Sequence, residues 1–193
     1  MENEKTVKQK KPSLLLEIFD WVDSVVFSVI FMVLIFTLVF RIVTIKGDSM
    51  LDTVVDGDKV IISNAFYTPK QGDMVVISRD YFNKLGQPID GSEPIIKRVI
   101  ATEGQKVNID FESGIVYVDD VPLDEPYTKN PTTRKEDVQF PLTVEEDCLF
   151  VLGDNRAVSK DSRDSSIGLV NERYVLGKVI LRVFPFDSFG GLK

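Results

Sequence analysis

Ser24–Phe40 reads SVVFSVIFMVLIFTLVF, 17 residues without a charge. As a helix this run rises ~26 Å, just under the roughly 30 Å hydrocarbon core of a bilayer. Trp21 before it and Arg41 after it suit the two interfaces. A cleavable signal peptide has a shorter apolar stretch ending in small residues, whereas this one ends in Phe-Arg-Ile-Val-Thr. A buried helix of a soluble domain is the remaining alternative. The run is read as a retained single transmembrane helix over residues 21–43, behind a basic N-terminus and amphipathic lead-in over 1–20. Lys5, Lys8, Lys10 and Lys11 precede it, so the positive-inside rule puts the N-terminus in the cytoplasm and the remainder outside.

From Thr44 onward the pattern changes. Short apolar and β-branched runs (KVIIS, MVVIS, PIIKRVIA, KVNID, GIVYVD, CLFVLG, GKVILRVF) alternate with turn signals such as Asp-Gly-Asp, Gln-Gly-Asp and Gly-Asp-Asn. No long helical period follows residue 43. Segment 79–94, polar with Gly and Pro, and segment 124–141, polar with Pro126, Pro131 and Pro141, read as loops. The expectation is a mainly β, mostly antiparallel extracytoplasmic domain over 44–193, with 105–146 as a small inserted subdomain. Phe184, Pro185, Phe186 and Phe189 have two readings, dipping into the membrane interface or closing the core, and the core is the expectation.

Composition narrows the chemistry. The chain has no histidine, which excludes a Ser-His-Asp triad, a His-ligated metal and any imidazole base. Its one cysteine, Cys148, excludes an intramolecular disulfide and a multi-cysteine zinc site, and reads as a core residue. No metal and no cofactor are expected. A net charge of −7 argues against a nucleic-acid partner.

Three segments remain: Gly47-Asp48-Ser49-Met50, Ile95–Ala101 with Lys97 and Arg98, and Gly153–Arg163. Each alone has an ordinary reading as a turn, an edge-strand lysine or a polar loop. Together they suggest nucleophilic catalysis. A serine hydroxyl needs a base, and without histidine the base is a neutral amine. Lysine titrates near 10.4 in water, and desolvation lowers that value. Lys97 lies among Ile95, Ile96, Val99 and Ile100, and on a strand Arg98 would face the other way.

This arrangement resembles the bacterial type I signal peptidases, membrane-anchored Ser/Lys proteases that remove signal peptides from exported proteins. The likeness spans nearly the whole chain: anchor, Ser49-Met50, Gly72-Asp73-Met74-Val75-Val76, Lys97-Arg98, then Gly153-Asp154-Asn155-Arg156 with Ser159 and Asp161-Ser162-Arg163. The single anchor and the compact insert are similar to the short Gram-positive-type members. The resemblance implies a partial-barrel catalytic domain, with Ser49 as nucleophile and Lys97 as general base. It implies that Ser159 orients the lysine amine, and that Asp161, Arg163, Arg98 and Asp154 are structural ion-pair members. Val43, Ile45, Met50, Val54, Val60 and Ile96 match positions that line substrate pockets, their other reading being core packing. Preprotein signal peptides with small residues of the A-x-A kind are the implied substrates, and membrane lipid the surroundings. An extended substrate would add to sheet edges near 43–47 and 94–97.

Two positions depart from the family pattern. Gly47 stands where some members carry a second hydroxyl donor for the oxyanion, and Asp52 where proline is usual. A carboxylate close to Lys97 would raise its pKa. Asp52 therefore motivates an alternative, a specialised or non-catalytic relative acting in pilus or secretion assembly. A third reading, a tethered β domain that only binds a partner, requires Ser49 and Lys97 to lie far apart.

Overall fold

The computed structural model describes residues 14–78 and 94–192. The N-terminal lysines and the loop expected over 79–94 (except Pro94) lie outside the described residues. The chain divides into two units, residues 1–38 and 39–193.

The described part of the first unit is one helix, α1 (Leu14–Val39). Its Glu17–Thr37 stretch is long and apolar enough to cross a membrane. The hydroxyls inside it are satisfied within the helix. Ser24 donates to the Asp20 carbonyl, Ser28 to that of Ser24, and Thr37 to that of Val33, so none needs water in an apolar surround. The helix differs at both ends from the expected span of 21–43. The lead-in from Leu14 is continuous with it, and it stops at Val39 rather than at residue 43. Phe40–Thr44 is a strand, because Ile42, Val43 and Thr44 are β-branched and the segment pairs with Lys59–Ser63, Phe40 opposite Ser63 and Thr44 opposite Lys59.

The second unit is mainly β. Its strands are β1 (Phe40–Thr44), β2 (Lys59–Ser63), β3 (Met74–Ile77), β4 (Ile95–Thr102), β5 (Lys106–Asp110), β6 (Ile115–Val118), β7 (Val121–Pro122), β8 (Leu142–Thr143), β9 (Cys148–Leu152), β10 (Val170–Asn171) and β11 (Val175–Phe184). Every pairing among them is antiparallel. One open sheet runs in the order β1-β2-β11-β3-β4-β9-β10, and a smaller one in the order β7-β6-β5-β8. The smaller sheet falls within the insert at 105–146.

Strands β3 and β9 read as unbroken apolar runs because they are buried on both faces. On β9, Leu149 and Val151 join a cluster with Val75, Ile77 and Val99, while Cys148, Phe150 and Leu152 face a second cluster formed with the smaller sheet. On β3, Met74 and Val76 enter a third cluster.

The C-terminal phenylalanines do not close the core. Phe186 is 81% and Phe189 60% exposed. After β11 the chain turns through a short 3₁₀ segment, Phe186–Ser188, and returns to pair Gly190 with Arg182. The Phe184 and Phe186 rings pack edge to face on one another, and the Lys59 amine lies over Phe184. These contacts satisfy the rings locally, outside the core.

Candidate active site

Ser49 lies just past the end of β1, in a turn. Ile45 N–H donates to the Asp58 carbonyl at 2.7 Å and Gly57 N–H to the Ile45 carbonyl at 3.0 Å, which ties the segment after the strand. Gly47 then takes φ +83°, a conformation glycine adopts without strain, and its N–H donates to Asp56. A hydroxyl-bearing residue would be strained there, which gives a backbone reason for glycine at this position.

Lys97 comes from β4, opposite Val75 on β3, while Arg98 stands opposite Met74 and Leu152. Consecutive strand residues leave opposite faces, so the two cations diverge. Lys97 is 3% exposed. Its Nζ lies 2.7 Å from Ser49 Oγ and donates to the Ile96 carbonyl at 3.0 Å. Burial pushes the amine down from its ordinary 10.5 to about 8, against the opposing charges of Asp161 and Asp154 and with help from Arg163. The binding-only reading needed Ser49 and Lys97 apart; they are in contact.

Arg98 goes the other way. Its Nε and Nη2 donate to the two oxygens of Asp154 at 2.9 and 2.7 Å, its Nη1 donates to the Gly72 carbonyl, and its guanidinium lies 3.9 Å from the centre of the Tyr127 ring. Thr53 Oγ1, four residues past Ser49, donates to the same Asp154 at 2.6 Å. Asp154 thus joins the turn after Ser49 to the strand that carries Lys97.

The Gly153–Arg163 loop packs between them. Arg163 makes a two-pronged pair with Asp161, which also accepts from the Gly153 N–H. Ser159 is fully buried and its Oγ has no hydrogen-bond partner among the described residues. Gly153 is what lets these pieces meet. A Cβ there would lie 2.2 Å from Ser159 Oγ and 2.5 Å from the Ser49 carbonyl oxygen.

The six pocket candidates come together in one cluster. Ile45, Met50, Val54, Val60 and Ile96 are buried, and Val43 packs against them half-buried. Met50 and Ile96 are the chain neighbours of Ser49 and Lys97, so this cluster backs both. Two open sheet edges flank the site. Among the described residues β1 is an edge strand, and on β4 the β9 ladder begins only at Arg98, leaving the far side of Ile95–Lys97 without a described strand. Asp52 is exposed and pairs with Lys129 at 2.8 Å, and neither it nor Asp48 is among the charges that shift Lys97.

Sequence reasoning missed several supports. Arg156, 1% exposed, pairs with Glu125 through both Nη atoms and with Thr132, and donates from Nε to the Gly153 carbonyl. Glu125 lies 31 residues away in a segment read only as a loop. Thr53 and Tyr127 were equally silent, while Asn155 and Arg156 stood in the motif without a role of their own. A buried arginine needs an acid partner, but which acid is a question of loop packing. Among the described residues no group of His, Cys, Asp and Glu side chains could hold a metal ion.

The chain matches the family model described as signal peptidase, peptidase S26, over residues 18–184. It is 30% identical to a protein named signal peptidase IB from Staphylococcus aureus strain COL, over 191 residues covering 90% of this chain and 93% of that protein. It is 34% identical to one named probable signal peptidase I-1 from Synechocystis, over 152 residues covering 77% and 73%. A crystallised signal peptidase I from Enterococcus faecalis V583 aligns with 25% identity and a TM-score of 0.45, covering 58% of this chain and 97% of that one. The family-model match and the two sequence relatives put the molecule in the class of serine endopeptidases. The chain belongs to the signal peptidase family, peptidase S26.

Proposed function

We propose that this protein removes signal peptides from exported preproteins, with Ser49 as nucleophile, Lys97 as general base and cleavage after small residues of the A-x-A type. The observation that carries the reading is a lysine amine, 3% exposed and with its pKa lowered to about 8, 2.7 Å from a serine hydroxyl oxygen.

Neutral Lys97 takes the Ser49 proton as Oγ bonds to the scissile carbonyl carbon and the carbonyl electrons move to oxygen. The resulting lysine ammonium gives that proton to the leaving nitrogen, the C–N bond breaks, and an ester remains on Ser49. Water then attacks the ester while Lys97 takes its proton. Collapse returns a proton to Ser49 Oγ and frees the new carboxyl end. The Ser49 N–H is the donor that meets the developing oxyanion. Two N–H groups of the neutral amine are available to hold its lone pair on Ser49. One already goes to Ile96, and the Ser159 hydroxyl, unpartnered and buried in the adjoining loop, suits the other once substrate closes the site.

The substrate joins the two open edges as an extended strand, so main-chain bonds bind any sequence. Selectivity comes from side chains. The aliphatic cluster of Ile45, Met50 and Ile96, with Val43 packed against it, accepts small side chains and clashes with longer ones. The N-terminus lies in the cytoplasm and the β unit outside, on the strength of the lysines ahead of α1. Ser49 follows Phe40 by nine residues.

The test is cleavage of a generic A-x-A preprotein by the full chain in detergent. Robust cleavage, lost in Ser49→Ala and in Lys97→Ala, is the expected result. Turnover at the starting level in either variant overturns the mechanism. A folded but inactive parent protein would favour the non-catalytic relative that Asp52 suggested.

A further inference from the structure

Asn155 grips the backbone on both sides of Ser49. Its N–H donates to the Ser49 carbonyl at 2.9 Å, and its Nδ2 donates to the Asp48 carbonyl at 3.1 Å. A carbonyl only accepts, so the amide must present its nitrogen to Asp48. The Asn155 Oδ1 consequently faces elsewhere, and it accepts from Asn130 Nδ2 at 3.1 Å. Asn155 is 6% exposed, so water does not compete freely for these bonds. The Leu51 N–H, at 3.3 Å, is a second donor to the Asp48 carbonyl.

The peptide unit joining Asp48 to Ser49 is trans. In a planar trans unit the C=O and the N–H point in opposite directions. With the Asp48 oxygen drawn toward Asn155, the Ser49 N–H is turned away from that loop. Hydrogen bonds accepted by the carbonyl also polarise the unit and strengthen its N–H as a donor.

The geometry points to Asn155 as a positioning residue of the reaction. It aims the Ser49 N–H at the oxyanion by holding the Asp48 carbonyl, and Asn130 fixes the amide that does so. This inference rests on Ser49 acting as the nucleophile. Asn155 touches no reacting atom, and its effect is exerted through the Asp48–Ser49 peptide.

The experiment uses the full chain in detergent, with preprotein cleavage and binding of a substrate-like peptide aldehyde as readouts. Ser49 Oγ bonds to the aldehyde carbon, the carbonyl electrons move to its oxygen, and the serine proton passes to Lys97. The adduct therefore places a charged oxygen where the oxyanion forms, as a transition-state analogue does. Removing an oxyanion donor outright costs roughly a hundredfold or more in kcat, and misaiming one should cost about tenfold to a hundredfold. Asn155→Ala is expected to lower kcat and aldehyde affinity by the same factor within that range. KM and the apparent pKa of kcat/KM should stay unchanged. Asn130→Ala should do the same more weakly, and serves as the readout if Asn155→Ala does not fold. A change confined to KM, a shifted pH profile, or unchanged aldehyde affinity overturns the inference. Ser49→Ala is assayed in parallel. If it retains turnover, the nucleophile assignment and this inference both fall. If it is inactive while Asn155→Ala keeps its kcat, only the role of Asn155 falls.

Discussion

The Ser159 hydroxyl oxygen sits 2.2 Å from the point a Cβ on Gly153 would occupy. The backbone at Gly153 does not require glycine by its φ, so the exclusion is one of space alone. Gly153→Ala must push aside either the buried Ser159 side chain or the Ser49 carbonyl. Overpacking of this kind costs about 1–3 kcal/mol. The variant is expected to melt lower and to lose cleavage by at least about tenfold, since small displacements at a reacting centre are expensive. A preprotein assay and a thermal melt on the same sample check it.

Ser159→Ala should behave differently. The hydroxyl makes no hydrogen bond among the described residues, so its removal leaves none of them stranded and stability should change little. If the hydroxyl steadies the Lys97 amine during turnover, kcat falls by about tenfold, the value of one hydrogen bond. An undiminished kcat would remove Ser159 from the mechanism.

The pH dependence follows from the lowered pKa of Lys97. With the neutral amine as the proposed base, kcat/KM should rise with pH, with unit slope below about 8 and a plateau above it. Stability moves in the same direction. Between about 8 and 10.5 the folded protein has released a proton that the unfolded chain still holds, so stability rises with pH across that window. Below about 8 the penalty for burying the charge is fully present, on the order of 3 kcal/mol. Lys97→Met should abolish cleavage and lose this rise. Urea unfolding of both proteins at pH 7.5 and pH 10 makes the comparison.

Arg156 and Glu125 form a pair with 1% and 10% side-chain exposure. Glu125→Ala strands a buried guanidinium, and breaking such a pair from one side costs about 3–5 kcal/mol. The double variant Glu125→Leu with Arg156→Met should recover most of that loss in a denaturant titration. By contrast, Lys129→Ala breaks an exposed pair with Asp52 and should shift stability by under about 1 kcal/mol.

Much of this molecule is written locally. The uncharged run gives the span because a bilayer asks only for length and apolarity. The strand runs KVIIS, PIIKRVIA and CLFVLG coincide with β2, β4 and β9 because β-branched patterning between turns is a short-range property. The absence of histidine and the order of Ser49, Lys97 and Ser159 already limited the chemistry. The end of α1 was misjudged for the opposite reason. Residues 40–43 are apolar enough for a helix, and only the partner strand β2, some twenty residues on, makes them β.

What the fold alone decided are the meetings. Ser49 and Lys97 are 48 residues apart in the chain, and Asn155 and Asp48 are 107 apart. The chain holds many acids that could partner Arg156, yet the packing of two loops delivers Glu125. Desolvation of Lys97 depends on what covers it from every side, and that covering comes from strands and loops distributed along the chain. Pattern is local, whereas burial and register are sums over distant segments, which is why sequence sets the cast of residues and tertiary structure sets their contacts.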